Sequence, residues 1–167
     1  MENFVRNPMG RSLVVVVLAL FGLAGPAAAN QVPFTATGTV VITGVTNLPG
    51  GLTQLDGFVT GNASHLGNIS GPISRIQDHQ GNFDTTVVFV SANGTDSVFL
   101  NVSGQFDKTK GGGGQCVLTS TGTYTVTGGT GSFANATGSG TIVSEIDLCA
   151  NTATGTYTGT ISQPNSN

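Results

Sequence analysis

Positive charge is scarce in this sequence: lysine and arginine together supply 5 of its 167 residues, and tryptophan is missing altogether. Two of the five, Arg6 and Arg11, lie at the extreme N-terminus. Residues 30–167 keep Arg75, Lys108 and Lys110 against Asp56, Asp78, Asp84, Asp96, Asp107, Glu145 and Asp147. Nothing here could displace counterions from phosphates along a basic stripe, so nucleic acid is excluded as a partner. The same poverty in Lys and Glu removes the residues that helices place on their exposed faces. After residue 29 no stretch carries apolar residues at i, i+3, i+4 and i+7. There is no Gly-x-Ser-x-Gly elbow and no phosphate loop ending in Gly-Lys-Ser/Thr. Two cysteines without a Cys-x-x-Cys and without clustered histidines make a poor zinc or thiol-redox site, and no Asp-rich calcium loop occurs. No metal and no cofactor is therefore expected. An outer-membrane barrel is excluded by the missing tryptophan and by strands that lack an outward apolar band.

What is present begins with three zones in residues 1–29. Arg6 and Arg11 precede an apolar run over 13–24, and Gly25-Pro26-Ala27-Ala28-Ala29 closes the segment. That is the layout of a secretory signal peptide, and the run is shorter than the ~20 residues that span a bilayer. Cleavage is expected between Ala29 and Asn30. It would leave 30–167 as one domain without an integral membrane anchor, working in the periplasm or outside the cell.

The rest reads as strands. Phe34, Ala36, Val40 and Ile42 alternate with Thr35, Thr37, Thr39 and Thr43, and Val98, Leu100, Val102 and Phe106 alternate with Ser97, Asn101, Ser103 and Gln105. Period two with one apolar face is the mark of a half-buried strand. Eight such runs are expected, at about 34–43, 57–62, 65–76, 82–91, 97–106, 116–127, 138–149 and 152–162. Asn93-Gly94 between two of them is a hairpin turn, because both residues tolerate positive φ. Residues 108–114, with four consecutive glycines, read as a connector. Thr-Ala-Thr-Gly-Thr occurs at 35–39 and again at 152–156, in the first and last runs, which suits neighbours that close a barrel. Closure also disposes of exposed sheet edges.

Cys116 and Cys149 are an even pair in an exported chain, so a disulfide is expected. Pairing 116–127 antiparallel to 138–149 would set residues whose numbers sum to 265 opposite one another, the two cysteines included. In that register Glu145 shares a face with Asp147, Val143 and Cys149, opposite Tyr124 and Leu118. The other face holds Ile142, Ile146 and Leu148. With the isoleucines inside, both carboxylates are solvated. With the opposite face inside, a buried Glu145 would have a raised pKa and become an acid–base candidate.

The segment Gly128-Gly129-Thr130-Gly131-Ser132-Phe133 with Ala136 and Gly138 resembles the Gly-Gly-Thr-Gly-x-Phe stretch of the allene oxide cyclase and dirigent type of β-barrel. Ser64-His65-Leu66-Gly67 and the Ala92-Asn93-Gly94 turn extend the likeness to uncharacterised bacterial exported proteins that carry all three in this order. The resemblance implies an eight-stranded antiparallel barrel enclosing either side chains or one small ligand, in a fold type that often forms oligomers. Phe133 is expected to plug one end. Activity does not follow from fold, and the resemblance assigns no catalytic position in this chain.

Among titratable residues His65 is a candidate general base, with a hydrogen-bonded structural role as its plainer reading, and His79 reads as part of a polar turn. Five Asn-x-Ser/Thr sequons, at Asn62, Asn68, Asn93, Asn101 and Asn135, are accounted for by composition. The favoured expectation is a non-catalytic exported barrel whose role the sequence does not name, either a binder of a small apolar molecule or an envelope-associated module. The alternative is an isomerase or cyclase of the allene oxide cyclase type acting inside the barrel, with His65 or Glu145 as its catalytic group.

Overall fold

Alternation of apolar and hydroxylated residues yields eight strands, β1 Gln31–Leu48, β2 Leu52–Ala63, β3 Gly67–Gln77, β4 Asn82–Ser91, β5 Ser97–Phe106, β6 Val117–Thr130, β7 Gly138–Asp147 and β8 Thr152–Ser162. In the computed structural model, which describes residues 30–107, 116–162 and 164, each strand pairs antiparallel with the next. β8 returns to β1 and closes the barrel. The expected signal peptide (1–29) and glycine connector (108–114) lie outside the described residues.

The repeated pentapeptides meet at the closure: Thr37 faces Thr156, Gly38 faces Gly155 and Thr39 faces Thr154. Threonines cover the outside while the other parity points inward, with Phe34, Val87, Val98, Leu100 and Ile161 wholly buried. Four rings cross the interior edge to face, Phe34 to Tyr124 at 6.1 Å, Tyr124 to Tyr157 at 5.8 Å and Tyr157 to Phe89 at 5.3 Å between centroids. Glycines make the room: a Cβ at Gly140 or Gly159 would lie 2.6 Å from the Tyr124 ring or hydroxyl. Each such contact adds about 0.5–1.5 kcal/mol beyond the area it buries.

The barrel has unlike ends. The three turns β2–β3, β4–β5 and β6–β7 seal one of them. Thr35 N–H donates to Ser64 Oγ at 2.9 Å, Ser64 N–H to the Thr35 carbonyl at 2.8 Å, and His65 Nε2 to the Pro33 carbonyl at 3.0 Å. Asp96 Oδ1 accepts the Ser132 N–H at 2.8 Å, joining the Asn93-Gly94 hairpin to the 3-10 turn Gly131–Phe133. Phe133, 2% exposed, and Leu66 fill the space beneath. Residues 64–67, the Asn93-Gly94 turn and residues 128–133 thus converge on one job, capping this end. At the other end the inward residues Val40, Ile42, Leu55, Ile73, Leu118 and Ala153 are only partly buried.

Three expectations are corrected. Paired residues of β6 and β7 sum to 264, with Val117 opposite Asp147 and Tyr124 opposite Gly140. β7 stops at Asp147, whose Oδ1 accepts the N–H groups of Cys149 and Ala150, each at 2.9 Å, so the chain turns and Cys149 lies beyond the ladder. The disulfide forms across the strand ends, with Cα atoms 5.3 Å apart. Leu118 and Tyr124 accordingly lie inside with Ile142 and Ile146. His65 is in a turn at φ 68°, not in a strand. β1 runs beyond Thr43 because the ladder resumes after a bulge between Ile42 and Gly44, and a bulge reverses the in–out parity on which the sequence reading relied.

Candidate functional site

Small residues decide where the barrel stays hollow. Toward the open end, inward positions on β1, β2, β7 and β8 carry Gly38, Gly57, Ser144, Ala153 and Gly155, and between them lies a narrow cavity of about 50 Å³. Its wall is otherwise Val40, Ile42, Ile73, Ile142 and Ile146, with Tyr157 at the inner end and Arg75 on the β3 side. Gly155 is open to substitution, since an added Cβ would stand 3.6 Å from both Ile142 Cδ1 and Tyr157 Cε2.

Arg75 is the anomaly of this core. It pairs with Leu55 on β2 and Thr85 on β4, both inward positions, and is 7% exposed. Its Nε donates to Thr85 Oγ1 at 3.2 Å, while Nη1 is buried without a hydrogen-bond partner among the described residues. The guanidinium lies 4.2 Å from the Phe83 ring centroid and 5.4 Å from that of Phe106. Burial pulls its pKa well below the ordinary guanidinium range, to about 10, against a smaller upward pull from Tyr157. The penalty for burying such a cation is several kcal/mol. A desolvated cation–π contact returns about 2 kcal/mol and one charged hydrogen bond about 1.5–3 kcal/mol, which leaves the unpartnered nitrogen uncompensated.

Other polar groups are either satisfied by one another or sealed away. Ser120 and Ser144 share a hydrogen bond of 2.6 Å inside the barrel. Tyr124 is 1% exposed, its hydroxyl has no partner, and burial raises its pKa to about 12. Burial likewise raises Tyr157 to about 12, opposed by Arg75. Asp56, on the cavity wall, has a carboxyl held below its ordinary value by hydrogen bonds from Gln54 and Ser74.

The residues singled out in the sequence do not gather here. His65 is exposed at the sealed end with its Nε2 on the Pro33 carbonyl. Glu145 is exposed on the outer face opposite Thr119, the solvated arrangement expected if Ile142 and Ile146 face inward. His79 sits in the Asp78 turn at the open end, beside a more polar hollow that includes Thr53, Gln77 and Phe106. Cys116, Asp147 and Cys149 are close enough to suggest metal ligands, but the two sulfurs are bonded to each other. Sequence reasoning counted Arg75 only as a charge. Its signal was parity: Ile69, Gly71, Ile73 and Arg75 alternate on one face.

No helix among the described residues is long and apolar enough to cross a membrane. Compared with family models, curated proteins and solved structures, the chain matches none of them.

Proposed function

We propose that this chain is an exported, non-catalytic barrel that takes up a small apolar molecule through its open end. One observation carries the reading: the sealed half is packed with aromatic and branched side chains, whereas the open half has glycine, alanine and serine at inward positions and keeps a cavity lined by isoleucine and valine. A core selected for stability alone would fill that space, since each unfilled methyl-sized void costs roughly 1 kcal/mol. The disulfide fits an oxidising compartment, in keeping with the signal peptide expected over residues 1–29.

Hexan-1-ol, a neutral short-chain probe, tests the cavity. Titrated into ¹⁵N-labelled protein, it is expected to shift the amide signals around Gly155, Tyr157 and Ile142. Gly155→Leu, which places a side chain in the cavity, is expected to abolish those shifts while the remaining spectrum stays folded. Shifts that persist unchanged in Gly155→Leu, or none in the unmodified protein, would overturn the reading.

A further inference from the structure

The cavity wall is not uniformly apolar, and its one cationic residue is placed where a cation is hardest to keep. A buried charge without a counter-charge is among the least favourable groups in a protein interior. Every partner found for Arg75 is neutral: Thr85 on Nε, the faces of Phe83 and Phe106, and Tyr157 nearby. Asp56, the acidic residue of the wall, forms no ion pair with it: its carboxylate turns to Gln54, whose Nε2 donates to both oxygens at 3.0 Å, and burial and Tyr157 are what act on the guanidinium. Phe83 and Phe106 flank the guanidinium, and Nη1, itself buried, has no acceptor among the described residues. The planar fork of a guanidinium matches the paired oxygens of carboxylate and phosphate alike, and a narrow, mostly apolar cavity favours the smaller, singly charged carboxylate.

We propose that the cavity binds a small amphiphilic carboxylate, its charged end at the edge of Arg75 and its short, unbranched apolar chain between Val40, Ile42, Ile73, Ile142 and Ile146. The assignment rests on the small-molecule reading above and names the chemical class for that same site. Three features set the class. One uncompensated cation calls for a monoanion. The isoleucine and valine wall calls for a hydrocarbon body. A volume of about 50 Å³ calls for a body of a few carbons. The bound carboxylate would supply the counter-charge that Arg75, a residue of the cavity wall, lacks among the described residues.

Hexanoate and hexan-1-ol differ only in the head group and are the probes that decide. The expected result is that hexanoate binds at least tenfold more tightly than hexan-1-ol, with the largest amide shifts on β3 at Arg75 and around Gly155. Arg75→Met should remove that preference while leaving hexan-1-ol binding in place. It should also raise the melting temperature by a few degrees, because replacing a buried unpaired cation with an apolar side chain removes a penalty. Equal affinity of the two probes in the unmodified protein would overturn the carboxylate assignment and leave the apolar-cavity reading standing. Binding of neither would overturn both. A hexanoate preference that survives in Arg75→Met would also overturn it. Should that variant fail to fold, the comparison of the two probes in the unmodified protein decides alone.

Discussion

Tyr124 and Tyr157 are the chain's two tyrosines, both are buried, and no tryptophan overlaps their absorbance. Burial raises each to about 12 from an ordinary 10.0. A phenol whose folded value lies above its unfolded one stabilises the fold below pH 10, and that contribution is lost as pH climbs toward 12. Tyrosinate absorbance should therefore stay flat through pH 10 and rise only near or above pH 12, or together with loss of the far-ultraviolet strand signal. A rise centred at pH 10 in folded protein would show that the rings are accessible. Arg75 acts in the opposite sense. Its folded value is depressed, so the fold gains as pH rises through about 10 toward the ordinary guanidinium value. The spectroscopic titration, not the melting midpoint, separates the groups. At this scale the sequence was legible for residues whose role is turn geometry, such as Gly94 at φ 72° and Gly131 at φ 58°. It was silent on Arg75, because a charged residue in a strand points outward in most cases and only the parity with Ile73 argued otherwise.

Among the elements, the β6–β7 hairpin shows why strand existence was easier to read than strand register. Both strands stood out by alternation, yet β7 ends at Asp147, two residues early, and the pairing along the whole hairpin differs by one from the expected register. A one-residue slip exchanges the two faces of one strand relative to the other, and so Tyr124 joins the isoleucines in the interior. The disulfide tolerates the slip because it bridges the frayed ends. It closes a span of 33 residues, for which the chain-entropy model gives about 3–4 kcal/mol. Replacing both cysteines with serine is expected to lower unfolding free energy in urea by that amount with the fold retained. A loss under about 1 kcal/mol would mean that the β6–β7 pairing alone holds these ends. Bulges account for the other boundary errors: between Ile42 and Gly44 in β1, and beside Phe99 where β5 meets β6, the ladder continues after the alternation changes phase.

For the whole molecule, closure by β1 and β8 sets Gly38 against Gly155 in matching pentapeptides whose surroundings differ. A Cβ at Gly38 would meet Val59 Cγ2 at 2.8 Å and the Thr60 carbonyl oxygen at 3.3 Å, whereas at Gly155 the nearest atoms stand at 3.6 Å. Gly155→Ala should stabilise the barrel by roughly 0.4–1 kcal/mol through lost unfolded-state freedom. Gly38→Ala should destabilise it, both read from the urea midpoint at unchanged slope. Equal effects would mean that the space beside Gly155 is as tightly filled as that beside Gly38.

The sequence by itself determined that the chain is all-β, that eight strands alternate faces, that glycine turns and Phe133 cap an end, and that two cysteines pair. Each of these follows from local chemistry: side-chain parity, turn residues that accept positive φ, and cysteine number. Only the tertiary structure decided which end is sealed, where the interior stays hollow, and that Arg75 borders the hollow unpaired. Those facts depend on register, strand stagger and the meeting of residues far apart in sequence, such as Arg75 with Phe106 and Gly38 with Gly155. No single strand carries that information, because a cavity belongs to the space between strands.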